Sequence, residues 1–227
     1  MFMKGRLIVI DGADGSGKAT QTALLSKRLK KSGKKVIAID FPRYYDNFFG
    51  AFIGECLAGR HGNFLAKDPY VASVLYAADR FESSNRIKEW LNKGYIVIAD
   101  RYVSGNQIHQ GGKIGSGKRR RKFLNWLDMM EHKIFAIPRP DVIFYLDVPE
   151  RLAHVLSHKK TRKKKYLRGK KDVAEENVSH QRRSRRAALL LVREFKNWVK
   201  IECARKGKMF SREYIHEQIF SHVSKRL

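Results

Sequence analysis

The sequence predicts a three-layer α/β/α fold with a parallel sheet of about five strands. Two observations lead to this prediction. Short apolar runs recur along the chain and are nearly continuous rather than alternating, and stretches with helical spacing lie between them. Continuous apolar runs are typical of strands that are buried on both faces, and strands that alternate with helices form parallel sheets. Because the chain of 227 residues has neither internal repeats nor a proline- or serine-rich linker, we expect residues 1–227 to form a single domain.

The predicted strands are the apolar runs themselves. They cover Leu7–Ile10, Val36–Ile39, Ile96–Ala99 and Val142–Leu146. A last short strand is expected near Met209-Phe210. The longest uninterrupted apolar run, Ala187–Val192, is far shorter than the ~20 residues that a helix needs to cross a bilayer, and the first run is shorter than a signal-peptide core of about 7–15 residues. We therefore expect no membrane segment.

The best-marked helix is predicted over 69–93. Asp68 can cap its N-terminus, Pro69 suits its first turn, and Gly94 can end it. A spacing of i, i+3, i+4 and i+7 predicts a core-facing stripe, which consists of Val71, Val74, Leu75 and Ala78. A second predicted core stripe lies nearer the C-terminus, before a last helix over 212–226, and consists of Ala188, Leu191, Val192, Phe195, Trp198 and Val199.

The chain is strongly basic, with 48 Lys and Arg against 22 Asp and Glu and a formal net charge of +26. This imbalance favours phosphate-bearing partners such as nucleotides, nucleic acid or an anionic membrane. Two basic stretches, 113–122 and 157–171, are expected to be mobile, because like charges repel and little apolar surface is available to bury. Cys56 and Cys203 are too few for a disulfide framework, so a cytoplasmic location is expected.

A glycine-rich turn follows the first predicted strand. It consists of Gly12, Ala13, Asp14, Gly15, Ser16, Gly17 and Lys18, with the Walker A spacing G-x-x-x-x-G-K. Glycines let successive backbone N–H groups point at phosphate oxygens, and the helix that follows adds its positive N-terminal end. Lys18 then places a charge on the β- and γ-phosphates. With a strand before it and a helical stretch after it, the turn predicts a P-loop NTPase-type fold that binds ATP.

The position after Lys18 departs from the motif. A Ser or Thr hydroxyl is expected there as a ligand of Mg²⁺, whereas this chain has Ala19 followed by Thr20. Either Thr20 supplies the hydroxyl or water fills the position. A second match to the same expression, Gly112–Lys118, has no apolar strand before it and Arg119 directly after it, so we reject it as a nucleotide site.

Candidate ligand-binding residues follow two of the predicted strands. Asp100 and Arg101 come after the third strand, and Phe41 and Arg43 come after the second. Because ligands of open parallel sheets bind beyond the carboxyl ends of the strands, we expect these side chains beside the loop. Asp100 could orient Mg²⁺ or its water, Arg101 could neutralise charge on the transferring phosphoryl group, and Arg43 could hold an acceptor phosphate. A structural salt bridge is the alternative for Asp100 and Arg101, and an ordinary surface arginine is the alternative for Arg43.

Tyr76 and Arg80 lie four residues apart on the predicted 69–93 helix and therefore share one face. A flat ring beside a guanidinium suits a nucleobase, because the ring can stack on the base while the arginine donates to a base carbonyl. The alternative is an exposed pair without a ligand.

Taken in order, these motifs resemble the thymidylate (dTMP) kinase family of nucleoside monophosphate kinases, from the first strand to about residue 180. The shared motifs are I-D-G-x-D-G-x-G-K at 10–18, F-P-R at 41–43, LYAADRF at 75–81, D-R-Y at 100–102, the segment from Gln107 to Gly112, and IPRPDVIFYLDVP at 137–149. The Walker loop is widely shared, whereas the complete set is specific to this family. The resemblance implies transfer of the γ-phosphoryl group of ATP to dTMP with Mg²⁺, by a homodimer.

The resemblance also implies roles for individual residues. Asp14 corresponds to the acidic residue that accepts a hydrogen bond from the 3′-hydroxyl of the acceptor. Arg43 and Arg101 correspond to the acceptor-phosphate and transfer arginines. Tyr76 corresponds to the aromatic residue that stacks on thymine, and Arg80 to the donor to its O4.

Further positions of the family pattern concern the pocket wall and the lid. Gln107 and Gln110 fall where the family lines the base and sugar pocket. Gly15 replaces the loop arginine of one subgroup, so the chain resembles the subgroup that supplies its basic residues from a mobile lid. This lid is predicted at approximately 157–172, with Arg162 and Arg168 as its candidate residues.

Departures from the family pattern leave other functions open. Besides Ala19, His109 stands where many relatives have a tyrosine that crowds a ribose 2′-hydroxyl, and Arg151 and Leu156 replace an expected acidic residue and an arginine. One alternative is a kinase for another nucleotide or for a deoxynucleoside. The other is a degenerate kinase-like protein that binds nucleic acid through its two basic stretches. Nucleic acid is the less favoured partner, because a run of Lys and Arg is usually a solvated face.

Overall fold

Five parallel strands form the central sheet of the protein, and helices cover both of its faces. The computed structural model describes residues 5–115, 117–161, 167 and 177–226. In chain order, the described strands and longer helices are β1 (Arg6–Gly12), α1 (Lys18–Lys31), β2 (Val36–Asp40), α2 (Phe48–Leu57), α3 (Pro69–Asn92), β3 (Ile96–Asp100), α4 (Lys118–Asp128), β4 (Val142–Asp147), α5 (Glu150–Thr161), α6 (Val178–Glu194), β5 (Trp198–Glu202), β6 (Ala204–Arg205), β7 (Lys208–Met209) and α7 (Arg212–Ser224). Shorter helical turns cover Phe64–Ala66, Val103–Gly105, Asn106–Gln110, Gly111–Lys113 and Met129–Ile134.

The strands of the sheet lie side by side in the order β2-β3-β1-β4-β5, and all of them are parallel. In the central strand β1, Ile10 pairs with Asp100 of β3 on one side and with Phe144 of β4 on the other. The chain runs from β1 outward to β2 and later crosses over to β4, so a crevice for ligands is expected at the carboxyl ends of β1, β3 and β4. The predicted fold class and the parallel sheet of five strands are confirmed.

Successive residues of each strand enter two separate hydrophobic cores. In β1, Leu7 and Val9 point into one core, whereas Ile8 and Ile10 point into the other, and none of the four is more than 2% exposed. Helices α3, α4 and α6 cover the first core, and α1, α5 and α7 cover the second. Each fully buried aliphatic side chain contributes about 1.5–3 kcal/mol to folding. Burial on both faces is the reason that the strands are continuous apolar runs.

Helix α3 begins and ends as predicted, but it buries a different face. Asp68 caps the helix by accepting hydrogen bonds from the backbone N–H groups of Tyr70 and Val71 at 2.8 and 3.3 Å. Val71 and Val74 are 64% and 43% exposed, so the prediction of a core stripe at these positions is wrong. The buried residues are instead Ala72, Ser73, Ala77, Asp79, Arg80, Ser83, Ser84, Ile87 and Leu91. The apolar spacing predicted the wrong face because the buried face of α3 carries mainly small and polar side chains. The two valines lie on the exposed face of the helix.

The predicted second stripe is divided between a helix and a strand. Helix α6 ends at Glu194, and Phe195 has extended backbone angles (φ −119°, ψ 125°). Trp198 and Val199 lie in strand β5, which pairs with β4, so their assignment to the helix is wrong. Aromatic and β-branched residues such as these favour strands, and a short apolar pattern does not by itself distinguish a strand from a helix.

The strand predicted near Met209-Phe210 is not part of the central sheet. Strand β7 covers Lys208–Met209 and pairs with β6 in a two-stranded antiparallel hairpin, so the fifth strand of the sheet is β5. The last helix, predicted over 212–226, is present as α7. Among the described residues, no helix is both long and apolar enough to span a bilayer.

Most of the predicted lid, approximately 157–172, falls beyond what the structure describes. Helix α5 ends at Thr161, and Leu167 is the one residue described between that position and residue 177. The lid candidates Arg162 and Arg168 lie outside the described residues.

Candidate active site

The glycine loop connects the end of β1 to the start of α1. Gly17, the residue before α1, has a left-handed φ of 98°, which disfavours any side chain at this position. A Cβ atom on Gly12 would lie 2.9 Å from the carbonyl oxygen of Leu146, so the loop passes too close to β4 for a larger residue. The loop is therefore a tight turn at a helix N-terminus, where the partial positive charge of the helix favours an anion.

Lys18 is the first residue of α1 and is almost fully buried. Its Nζ atom donates to the carbonyl oxygens of Gly12 and Ala13 at 3.2 and 3.0 Å and lies 3.7 Å from a carboxylate oxygen of Asp14. Burial and the neighbouring Arg101 lower the pKa of this ammonium group. An ammonium group held against the loop backbone is placed to contact phosphate oxygens.

Arg101 lies directly after β3 and has a left-handed φ of 64°, which is a strained conformation for an arginine. Its Nη1 atom donates to Asp11 at 3.3 Å and to Nε2 of His109 at 2.8 Å, and its Nη2 atom donates to Asp14 at 2.8 Å. Burial opposes the charge of this guanidinium, but Asp14, Asp11 and Asp100 raise its pKa above the ordinary value. The structure thus holds a permanent positive charge beside the loop.

Asp11 anchors this arrangement, and we did not predict it from the sequence. Its carboxylate is completely buried and accepts hydrogen bonds from the backbone N–H of Gly12 at 2.7 Å, from the Ser104 hydroxyl at 2.6 Å and from Arg101. A charged residue at the end of an apolar strand was the available signal, because a buried carboxylate requires partners.

A cavity opens beside the loop, and the empty space within it, which includes open solvent, is about 830 Å³. The lining includes most of the acceptor-side residues that the sequence predicted, namely Asp14, Phe41, Tyr76, Arg80, Arg101 and Gln110. It also includes residues to which the sequence had given no role at this site, among them Lys113, His180 and Gln181. Aromatic walls and a few charged groups suit a ligand with one flat ring and one anionic end.

Arg80 reaches the cavity from α3 and is fixed by Glu131, a residue that the sequence did not indicate. Its Nε and Nη2 atoms donate to the two carboxylate oxygens of Glu131, both at 2.7 Å, and its Nη1 donates to the carbonyl oxygen of Tyr102 at 3.2 Å. Asn106 donates to the same carboxylate at 2.9 Å. Arg80 is 3% exposed and Glu131 is fully buried, so the pair is a desolvated ion pair that sets the direction of the guanidinium.

Replacement of Glu131 by glutamine should lower the free energy of unfolding by about 3–5 kcal/mol, because it leaves the Arg80 charge buried without an anion. Denaturant unfolding followed by circular dichroism measures this change. Glu89→Gln is the matched control, since Glu89 lies on α3, the helix of Arg80, and forms an exposed ion pair with Lys93 at the end of that helix. Equal unfolding midpoints for both variants would contradict the account of the buried pair.

Two of the predicted acceptor-side residues, Arg43 and Gln107, are not among those that line the cavity. The guanidinium of Arg43 lies 2.8 Å from Asp46 and 3.7 Å from Asp40, on the turn after β2. Gln107 has a buried Oε1 atom without a hydrogen-bond partner in the part of the chain that the structure describes. The roles predicted for both residues stay predictions, and the sequence could not give the direction of their side chains.

Oxygen donors that suit Mg²⁺ lie around the loop. Asp100 stands at the carboxyl end of β3, and burial raises the pKa of its carboxyl group although Lys18 and Arg101 oppose this shift. Thr20 lies in the first turn of α1, and the buried hydroxyl of Ser16 has no hydrogen-bond partner among the described residues. Mg²⁺ prefers oxygen ligands and usually binds one or two carboxylates together with substrate phosphates, so this donor set fits the ion.

Comparisons with known proteins show similarity along most of the chain. The family model described as "Thymidylate kinase" matches residues 10–219. A thymidylate kinase of Mycobacterium tuberculosis is 34% identical over 148 residues, which are 65% of this chain and 68% of that protein. A probable thymidylate kinase of Pyrococcus abyssi is 32% identical over 227 residues, which cover 99% of this chain and 98% of the relative. The structure of a thymidylate kinase from Candida albicans, 24% identical, superposes with a TM-score of 0.72 over 98% of this chain and 92% of that one, which shows a common fold.

Proposed function

The chain belongs to the thymidylate kinase family, and we propose that the loop at 12–18 holds the phosphates of ATP while the adjoining cavity holds dTMP. The protein transfers the γ-phosphoryl group of ATP to dTMP, which gives dTDP and ADP. One observation carries the proposed arrangement. The guanidinium of Arg101 contacts the loop residue Asp14 and also lines the cavity, so it lies where a donor phosphate and an acceptor phosphate would meet.

On the donor side, the backbone N–H groups of the loop, the N-terminus of α1 and Lys18 bind the triphosphate. Lys18 exchanges its contacts with the carbonyl oxygens of Gly12 and Ala13 for contacts with the β- and γ-phosphates. Hydrogen bonds between charged partners are stronger than those to neutral carbonyl groups, so this exchange favours binding.

At the point of transfer, Arg101 neutralises the charge on the moving phosphoryl group. The acceptor phosphate is already an anion, so the reaction requires positioning and charge neutralisation rather than a strong general base. Within the described residues, Arg101 makes three side-chain hydrogen bonds through its two Nη atoms. A guanidinium has five N–H donors, and the remaining ones can reach phosphoryl oxygens.

On the acceptor side, the pyrimidine ring lies against Tyr76, and Arg80 donates to a base carbonyl. Gln110 supports this placement, because it lines the cavity and its buried Oε1 atom has no hydrogen-bond partner in the described part of the chain. The ring N–H of thymine would satisfy that oxygen. Phe41 forms part of the cavity wall, and Asp14 accepts a hydrogen bond from the sugar 3′-hydroxyl.

Three further arginines complete the proposed phosphate contacts. Arg43 binds the acceptor phosphate, and for this its side chain must leave Asp46, an exchange that a doubly charged phosphate favours over a single carboxylate. Arg162 and Arg168 act from the lid. Both lie outside the described residues, so their support is the sequence pattern alone.

We also propose that Mg²⁺ accompanies ATP, with Asp100 and Thr20 as its protein ligands. The ion would neutralise charge on the β- and γ-phosphates. Thr20 takes the role of the hydroxyl that Ala19 lacks, and Asp100 contributes either directly or through a water molecule.

A homodimer is proposed through the outer face of α2 and α3. Large apolar side chains that are exposed on these two helices are Phe48, Phe52, Val71, Val74 and Phe81. Such a surface usually marks a protein interface. Val74→Glu should therefore give monomers by light scattering, whereas Val155→Glu, at an exposed valine of α5, should leave the molar mass unchanged. A wild-type protein that is monomeric at micromolar concentration would contradict the proposal.

The acceptor specificity is tested by coupled measurement of ADP release with dTMP, dUMP, UMP, CMP and thymidine in turn. We expect the highest kcat/KM with dTMP and no turnover above background with thymidine, because Arg43 and Arg101 require an acceptor phosphate. A clear preference for the unphosphorylated nucleoside would contradict the proposed placement of the acceptor.

A further inference from the structure

We propose that His109 is a positioning residue for phosphoryl transfer: its neutral imidazole accepts a hydrogen bond from Arg101 and ties that arginine to helix α6. The inference rests on the proposed function, in which Arg101 contacts the transferring group. The resemblance to relatives pointed only to crowding of the sugar by this position, whereas the geometry gives His109 a partner on each side.

The hydrogen bonds determine which nitrogen of His109 carries the proton. Nε2 of His109 lies 2.8 Å from Nη1 of Arg101, and Nδ1 lies 3.2 Å from the hydroxyl oxygen of Ser184 in α6. A guanidinium can only donate, so Nε2 must be the acceptor and must be unprotonated. The proton therefore resides on Nδ1 and is donated to Ser184. Protonation of both nitrogens would place two donors against each other and break the contact with Arg101.

The surroundings of the ring keep it in this state and orientation. His180 of α6 stacks on His109 with ring centroids 5.4 Å apart and an interplanar angle of 22°. Ser184 is 3% exposed, so its hydroxyl is shielded from competing water. Burial, and then Arg101 and His180, hold the pKa of His109 well below its ordinary value despite Asp14, which agrees with a neutral ring.

The hydrogen bond from Arg101 to His109 matters because the other hydrogen-bond partners of Arg101 belong to a different part of the chain. Asp11 and Asp14 both belong to the end of β1 and the glycine loop, and both attract the guanidinium toward that element. His109 holds Nη1 from the segment 106–110 instead. Without it, the guanidinium is free to turn toward the two carboxylates and away from the cavity. A misplacement of about 1 Å in a catalytic group can reduce the rate by ~10²-fold.

The test compares His109→Phe, which keeps a flat ring without an acceptor, with His109→Gln, whose amide oxygen can still accept from Arg101. With ATP at saturation and dTMP varied, His109→Phe should lower kcat about 10- to 100-fold while KM for dTMP changes less than about threefold. His109→Gln should recover most of that loss. Ser184→Ala, which removes the partner of Nδ1–H and leaves the ring in place, should lower kcat by a smaller factor and provides a second measurement if His109→Phe folds poorly.

A double-mutant cycle with Arg101→Ala shows whether His109 acts through that arginine. In the Arg101→Ala background, His109→Phe should change kcat by less than about twofold. An equal loss in both backgrounds, or a His109→Phe enzyme with wild-type kcat, would overturn the inference. A large effect of Arg101→Ala beside a neutral His109→Phe overturns only the inference, whereas a neutral Arg101→Ala also removes the proposed role of Arg101.

Discussion

Replacement of Arg101 by alanine should reduce kcat for phosphoryl transfer to dTMP by about 10²–10³-fold, the loss expected when one preorganised charge is removed from a reacting centre. Arg101 holds its positive charge between Asp14, Asp11 and His109, next to both the loop and the cavity. Its removal leaves two carboxylates beside a triphosphate, so repulsion adds to the loss of stabilisation. Steady-state ADP release at saturating ATP and dTMP measures the effect.

The control for this variant is Arg119→Ala, which removes an exposed arginine of α4. It should leave kcat unchanged, and the melting temperature of Arg101→Ala should be recorded to separate a catalytic effect from loss of folding. Arg101→Lys should restore only part of the rate, because a lysine lacks the planar fork that contacts several oxygens at once. Turnover close to wild type in Arg101→Ala would refute the role assigned to it.

Replacement of Lys18 by alanine should reduce kcat by about 10²–10³-fold or more and should also raise KM for ATP. The ammonium group lies against the loop carbonyls in a site with little water, where its attraction for phosphate oxygens is strong. Because it is the first residue of α1, its charge also adds to that of the helix N-terminus. Kinetics with ATP varied at saturating dTMP measure both effects.

Lys27→Ala provides the matched control, since Lys27 lies on the same helix and is exposed. The comparison separates a local requirement for the loop lysine from a general effect of removing one charge from a protein with a net charge of +26. A Lys18→Ala enzyme with a KM for ATP and a kcat within a few-fold of the Lys27→Ala values would be incompatible with a triphosphate in the loop.

Features encoded by neighbouring residues could be predicted from the sequence. The glycine loop, the first four strands of the sheet and the Asp68 cap of α3 depend on residue types within a few positions of one another. The C-terminal strand β5 was missed because its apolar residues continued the spacing of the preceding helix α6. The buried face of α3 was missed because polar residues there are stabilised by partners distant in sequence.

In the candidate site, too, residues within local motifs could be predicted from the sequence, whereas partners distant in sequence could not. Asp14, Tyr76, Arg80 and Arg101 could be selected because each belongs to a motif or follows a strand. Glu131 lies 51 positions from Arg80 and has no motif of its own, so only the folded chain brings the two together. Ser184 and His109 are 75 positions apart, and the folded chain likewise brings them into contact. Long-range polar contacts of this kind depend on how helices pack, which local patterns do not specify.

The central claim is that the loop at 12–18 wraps the triphosphate while dTMP lies in the facing cavity, and a crystal structure with a non-hydrolysable ATP analogue and dTMP tests it most directly. We predict that the β- and γ-phosphates contact Lys18 and the loop N–H groups, that the thymine ring lies against Tyr76, and that Arg101 lies between the two nucleotides. A triphosphate bound away from the loop, or a dTMP molecule outside the cavity, would contradict the account.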